Sequence, residues 1–165
     1  MPTYCAVVDS PIGALTLASD GEALTALLPP GHRGVAAIAA VAVVDEAPLR
    51  PVTDQLDAYF SGELVDFEIT VRPRGTPFQQ DVWAYLRTIP YGATSTYGEI
   101  AATIGRPAAA RAVGAANGAN PISIVIPCHR VVGASGGLTG YAGGLSAKGW
   151  FLLHEQGRAG PARGT

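Results

Sequence analysis

The sequence predicts an α+β protein, with a small antiparallel sheet in an N-terminal α/β lobe and a mostly helical C-terminal lobe. Three observations carry that prediction. Short apolar runs broken by Asp, Gly and Pro clusters fill the first thirty or so residues, as in a strand meander. Beyond residue 77 the apolar residues take helical spacing. Between these stretches Pro73, Gly75 and Pro77 break regular structure, and the charge bias changes sign: residues 1–77 carry four basic and ten acidic side chains, residues 78–165 seven basic and three acidic. The expected division is therefore a lobe over 1–72, a linker over 73–77, a lobe over 78–156 and a disordered Gly/Pro/Arg-rich tail over 157–165.

Within the first lobe, strands are expected over Tyr4 to Val8, Leu15 to Ala18 and Ala23 to Leu28, separated by Asp9-Ser10-Pro11-Ile12-Gly13 and Asp20-Gly21. The alanine-rich run from Val35 to Val44 fits a helix or a strand. Leu56, Tyr59 and Phe60 fall at helical spacing, whereas Phe67, Ile69 and Val71 alternate as in a strand. In the second lobe Phe78, Val82, Trp83, Leu86 and Ile89 mark one helical face before Pro90-Tyr91-Gly92 stops the helix. A short helix from Tyr97 to Ile104 ends at Gly105, and Pro107 introduces another over Ala108 to Gly118. Two short helices joined by a Gly/Pro turn form a helix-turn-helix pattern. Ala112, Gly114, Ala115 and Ala116 make the second helix smooth. That surface suits either close approach to a partner backbone or packing inside the protein.

Composition narrows the function classes. A chain of 165 residues with 48% hydrophobic content can fill a core. It has no apolar stretch of about 20 residues and no basic segment leading an apolar signal core, so neither membrane insertion nor export is expected. Two cysteines without a CxxC pair, and three histidines, are too few and too scattered for a disulfide scaffold or a structural zinc site. The expected setting is a reducing cytoplasm. The basic bias of the second lobe is a footprint for phosphate contact.

The run Ile126-Pro127-Cys128-His129-Arg130 reads as the end of a buried strand that carries a sulfur nucleophile beside an imidazole. Cysteine attacks as the thiolate, and an ordinary thiol of pKa about 8.5 is only slightly ionised at neutral pH, so a neighbouring base or cation changes its reactivity. Adjacency alone is weak, because successive side chains on a strand point to opposite faces. Cys5, in the first strand, is expected to be buried and inert.

The wider segment 120–155, NPISIVIPCHRVVGASGGLTGYAGGLSAKGWFLLHE, resembles the O6-alkylguanine-DNA alkyltransferases. It has that family's Pro-Cys-His-Arg-Val core, a glycine-rich loop with Gly-Tyr and Gly-Gly, and a helix ending in Glu. The resemblance covers residues 76–156 well and the first half loosely. It implies a ribonuclease H-like N-terminal lobe, and a second lobe carrying the helix-turn-helix and the active-site loop. It also implies a cytoplasmic, nucleoid-associated DNA repair enzyme that transfers an alkyl group from guanine O6, or thymine O4, to Cys128. The thioether is a poor leaving group, so each molecule would act once, with no metal or organic cofactor needed.

The site residues follow from the same resemblance. Glu155 would hold the His129 ring, His129 would reach Cys128 through a water, and Asn120 would support the turn. Tyr97 would offer its hydroxyl to the N3 edge of the base. The pocket would be built from Val131, Gly137, Tyr141, Ala142 and Gly143, with carbonyls of Cys128 and Val131 and the amide of Ala142 reading the guanine. Thr96, Arg111, Ala112, Gly114, Ala115 and Asn117 would face DNA, the smooth helix lying in the minor groove and Arg111 filling the place of an everted nucleotide. Gly118 and Ala119 depart from relatives that carry longer or basic side chains there, which implies weaker phosphate contact. Arg130 would bond carbonyls that hold the two lobes together. The partner is double-stranded DNA and the protein a monomer, with cooperative binding along DNA left open. A non-catalytic lesion binder would lack the reactive cysteine, and a Cys-His-Glu hydrolase is the remaining alternative.

Overall fold

The computed structural model describes residues 2–135, 137 and 144–159. The chain divides into two compact units, Met1–Arg74 with Pro121–Val125, and Gly75–Asn120 with Ile126–Thr165.

The first unit is built on a four-stranded sheet. Strands β1 (Tyr4–Val8), β2 (Leu15–Ser19) and β3 (Leu24–Leu28) form an antiparallel meander, and the two-residue β4 (Val43–Val44) adds to β1 in parallel, giving the order β3-β2-β1-β4. Central β2 is buried along its whole length, as expected of the strand paired on both edges. The ambiguous alanine-rich run resolves into both candidates: helix α1 (Gly34–Val41), which has no buried residue, followed by β4. Helix α2 (Arg50–Phe60) buries Val52, Leu56 and Tyr59, the i, i+4, i+7 face that packs the core.

The strand expected at Phe67, Ile69 and Val71 is absent. Only a parallel bridge of Val71 to Leu24 forms there. The reason is local. The Gln55 side-chain amide takes both backbone groups of Glu68, donating to its carbonyl at 3.1 Å and accepting from its amide at 2.8 Å, so this stretch has no ladder to complete.

In the second unit, helix α3 (Pro77–Leu86) starts from a capping box in which Thr76 and Gln79 bond each other's backbone amides. Its Trp83 is fully buried and donates to the Ala116 carbonyl at 2.8 Å. A Cβ on Gly75 would lie 2.4 Å from the Trp83 ring, so glycine is required where the chain enters this helix. Strand β5 (Ser95–Thr96) runs straight into α4 (Tyr97–Thr103), whose capping box uses Thr96 and Glu99. Helix α5 (Ala110–Gly118) packs on α3 and α4. Strand β6 (Val131–Val132) pairs in parallel with β5, and α6 (Leu145–Ala159) completes the unit. Residues 157–159, expected in a disordered tail, continue α6 instead, and 160–165 lie outside the described residues.

Candidate active site

The segment leading to Cys128 is not the strand end that its apolar run suggested. Pro127 has no amide to donate, and at φ −81° and ψ 68° it is the centre of an inverse γ-turn closed by the Cys128 amide on the Ile126 carbonyl at 2.8 Å. Asn120 secures the same turn, its side-chain amide donating to the Ile126 carbonyl at 2.8 Å. A single 3-10 turn over Cys128–Arg130 follows before β6 begins. Consecutive side chains of such a turn diverge by about 120°, which lets Cys128, His129 and Arg130 reach different neighbours.

All three are buried, and the His129 side chain has no exposed surface. His129 Nε2 lies 2.7 Å from Glu155 Oε2, and its ring stacks on Phe151 at a centroid distance of 4.8 Å. Arg130 grips the same carboxylate, Nε donating to Oε1 at 2.8 Å and Nη2 to Oε2 at 3.0 Å. Its Nη1 donates to the Ile89 carbonyl at 2.7 Å, and the guanidinium lies 5.7 Å from the Tyr91 ring centroid. The expectation that Arg130 joins the two lobes needs correction. Ile89, Tyr91 and Glu155 all belong to the second unit, because the carboxylate on α6 outcompetes more distant carbonyls for a buried guanidinium.

Electrostatics assign the protons. The Glu155 carboxyl is held far below its ordinary range: burial raises it, and the hydrogen bonds from His129 and Arg130, with the Arg130 charge, more than reverse that. Burial pushes the His129 imidazole down, with Glu155 partly opposing. A neutral imidazole facing an ionised carboxylate must place its hydrogen on Nε2. Nδ1 then carries the lone pair, and among the described residues this buried atom has no hydrogen-bond partner. The arrangement can take a proton from a nearby thiol and stabilise the imidazolium that results.

Lys148 is the residue that sequence reasoning missed. It is fully buried on α6, one helical face with Phe151, Leu152 and Glu155. Burial pushes its ammonium pKa down, and the charge of Cys128 acts in the opposite direction, so the two groups sense each other. The i, i+3, i+4, i+7 spacing from Lys148 to Glu155 was the available signal.

Other expected site residues are distributed as follows. Thr96 is the N-cap of α4 and Tyr97 its first residue, half-buried, with ring carbons 3.7 Å from where a Cβ on Gly114 would stand. Arg111, Ala112 and Ala115 are exposed on α5, as are Gly118 and Ala119 just after them. Asn117 is not on that outer surface. It is buried, and its side-chain amide donates to the Cys128 carbonyl at 3.3 Å, because its position on α5 faces the same way as Val113 and Ala116. Val131 is buried in β6, and the Gly137 carbonyl accepts from the Gly133 amide at 2.9 Å. Tyr141, Ala142 and Gly143 lie outside the described residues. Both cysteines are free thiols, Cys5 being buried in β1.

Two family models span nearly the whole chain. The ribonuclease-like domain of 6-O-methylguanine DNA methyltransferase matches residues 3–73, and the DNA-binding domain of the same enzyme matches 77–157. The chain belongs to the 6-O-methylguanine DNA methyltransferase family. A methylated-DNA–protein-cysteine methyltransferase of Mycobacterium bovis is 53% identical over 158 residues, covering 92% of each chain. The crystal structure of the Mycobacterium tuberculosis O6-methylguanine methyltransferase superposes with a TM-score of 0.89 at 50% identity, over 96% of each chain. The M. tuberculosis protein in complex with DNA matches with a TM-score of 0.87 at 50% identity, over 96% of this chain and 94% of that one. In this family member the Cys128 cluster and the helix-turn-helix both fall within the DNA-binding domain match. Among the described residues no helix is long and apolar enough to cross a membrane, and no group of three or more His, Cys, Asp and Glu side chains could hold a metal ion.

Proposed function

We propose that this chain repairs DNA by moving an alkyl group directly from guanine O6, or from thymine O4, to the sulfur of Cys128. The observation that carries this reading is the buried Glu155–His129 pair on the residue beside Cys128, with an imidazole nitrogen left as a base, inside a family whose members are named for transfer to cysteine.

The chemistry follows from the proton assignment. His129 Nδ1 takes the thiol proton through a water, and Glu155 stabilises the imidazolium. Lys148 adds a buried positive charge near the sulfur, which favours the thiolate. Sγ attacks the alkyl carbon in line with its bond to O6. The C–S bond forms as the C–O bond breaks, and the electron pair stays on the purine. Tyr97 lends its hydroxyl at the N3 edge, so the base leaves as neutral guanine and the net proton passes from thiol to purine. No water-driven step cleaves a thioether, so each molecule turns over once, without a metal or cofactor.

Reaching O6 requires the nucleotide to leave the stack, at a cost of a few kcal/mol that is lower for a mispaired lesion. The exposed small residues Ala112 and Ala115, with Gly114, let α5 approach the minor groove, and Arg111 occupies the space vacated by the base. Asn120 and Asn117 set the backbone at Cys128, whose carbonyl, with that of Val131, reads the exocyclic amine. Gly137, Tyr141, Ala142 and Gly143 supply the rest of the pocket. The lobe over 78–156 carries catalysis and DNA binding, joined through 73–77 to the lobe over 1–72. The protein acts as a monomer in the cytoplasm, on nucleoid DNA.

Duplex DNA with radiolabelled O6-methylguanine tests the reading. Label moves to the protein up to one equivalent, and a Cys128→Ala variant binds the lesion without accepting label. Label remaining on DNA, or multiple turnovers of an acyl ester by Cys128, would overturn it.

A further inference from the structure

We infer that Arg106, in the turn between α4 and α5, is a preorganised contact to the DNA backbone and supplies the phosphate neutralisation that α5 itself lacks. This rests on the reading that α5 lies against DNA.

The turn is rigid. Gly105, at φ +81°, ends α4 in a Schellman motif: its amide bonds the Ala102 carbonyl at 3.1 Å, and the Arg106 amide bonds the Ala101 carbonyl at 2.8 Å. The Arg106 carbonyl in turn accepts from the Ala109 amide at 2.9 Å, at the threshold of α5. Both backbone groups of Arg106 are thereby tied, one to each helix of the pair, and Pro107 restricts the next φ.

The side chain is held as well. Its guanidinium sits 5.7 Å from the centroid of Phe78, on the first turn of α3. Arg106 is exposed and makes no ion pair among the described residues, so its charge is neutralised by no carboxylate. A cation resting on an aromatic face keeps its N–H edge available for a second, anionic partner. It also loses less rotamer freedom on binding than a free arginine.

Charge placement singles it out. Of the cations whose side chains are described in the second unit, Arg130 and Lys148 are buried, leaving Arg87, Arg106 and Arg111 outside. Arg111 is committed to the vacated base position. The residues exposed along and just after α5, Ala112, Ala115, Gly118 and Ala119, carry no charged side chain. A helix-turn-helix orients itself on the duplex through backbone contacts, and Arg106 is the charged side chain on its turn.

The test is the salt dependence of duplex binding by the full-length protein, with Arg106→Gln, Arg106→Lys and, as a charge-matched control in the first unit, Arg50→Gln. One lost phosphate contact lowers the slope of log K against log salt by about 0.9, which at 0.15 M salt is a roughly five-fold weaker Kd. Arg106→Gln is expected to show that loss with an unchanged melting temperature. Arg106→Lys should retain the wild-type slope, and Arg50→Gln should leave slope and Kd unaltered. A wild-type slope in Arg106→Gln, or an equal drop in Arg50→Gln, overturns the inference while the repair reading stands. A wild-type protein that neither binds duplex nor accepts label overturns the repair reading, and this inference with it.

Discussion

Replacing Glu155 by Gln keeps the shape of the side chain and removes its charge, and the geometry specifies what that does. The carboxylate accepts from His129 Nε2 at 2.7 Å and from Arg130 at 2.8 and 3.0 Å, with Oε2 shared between the two residues. An amide has one oxygen and one NH2, so whichever way it turns, its N–H groups meet at least one of these donors. The guanidinium, 8% exposed, is then a buried charge without its counter-ion. Breaking a buried pair in this way costs about 3–5 kcal/mol, which for a chain of this size lowers the melting temperature by on the order of 10 °C.

The kinetic effect has a separate cause. Whichever way the amide turns, the imidazolium formed by taking the thiol proton has lost the carboxylate charge that stabilises it, so His129 becomes a weaker base. Loss of general-base assistance should slow transfer by about 10²–10⁴-fold. Single-turnover transfer of labelled methyl measures the rate and a circular-dichroism melt the stability. Acid titration adds a sign. The folded carboxyl lies well below its ordinary value of 4.5, so its stabilisation is present above about pH 4.5 and is lost as pH falls below it. Glu155→Gln should flatten that part of the curve. A variant within threefold of the wild-type rate and within 2 °C of its melting temperature would refute the proton assignment.

Three further outcomes can be checked. Lys148→Met removes a buried cation near the sulfur, so its pH–rate profile should shift to higher pH, with slower transfer at neutral pH recovering as pH rises; an unmoved profile would exclude a role for Lys148 in thiol ionisation. Asn117→Leu leaves the buried Cys128 carbonyl without this donor, at a cost of about 1–3 kcal/mol in denaturant titration, and should keep the wild-type salt slope for DNA, since the residue faces inward. His129, whose folded pKa is depressed by burial below its ordinary 6.5, binds a proton more readily unfolded than folded; stability should therefore fall as pH drops below about 6.5, and His129→Gln should remove that slope.

How much could be read from the sequence depended on whether a residue's environment was local. The meander, α2 and α3 were legible because their apolar spacing and Asp/Gly/Pro punctuation act within a few residues. The alternation of Phe67, Ile69 and Val71 misled because a strand needs a neighbour as well as a pattern, and Gln55, thirteen positions earlier, had already satisfied Glu68. The apolar run before Cys128 misled for a related reason. Its burial was evident, but Pro127 bends the chain into a γ-turn that no apolar count detects.

The site shows the same division more sharply. Cys128, His129 and Glu155 were found through a family pattern, and spacing alone could not have joined positions 128 and 155. Lys148, and the inward direction of Asn117, were hidden because a helix presents one charged or polar residue to the interior without announcing the direction. On α6, however, direction can be worked out. Once Glu155 is known to face His129, the residue two turns earlier must face the same way, and that residue is Lys148. Under the proposed transfer that burial has a physical role: a cation on the neighbouring helix favours the Cys128 thiolate, beside the imidazolium that forms as His129 takes the thiol proton. Arg130 is spent on Glu155. Lys148 is a second buried cation, and its charge and that of Cys128 act on each other.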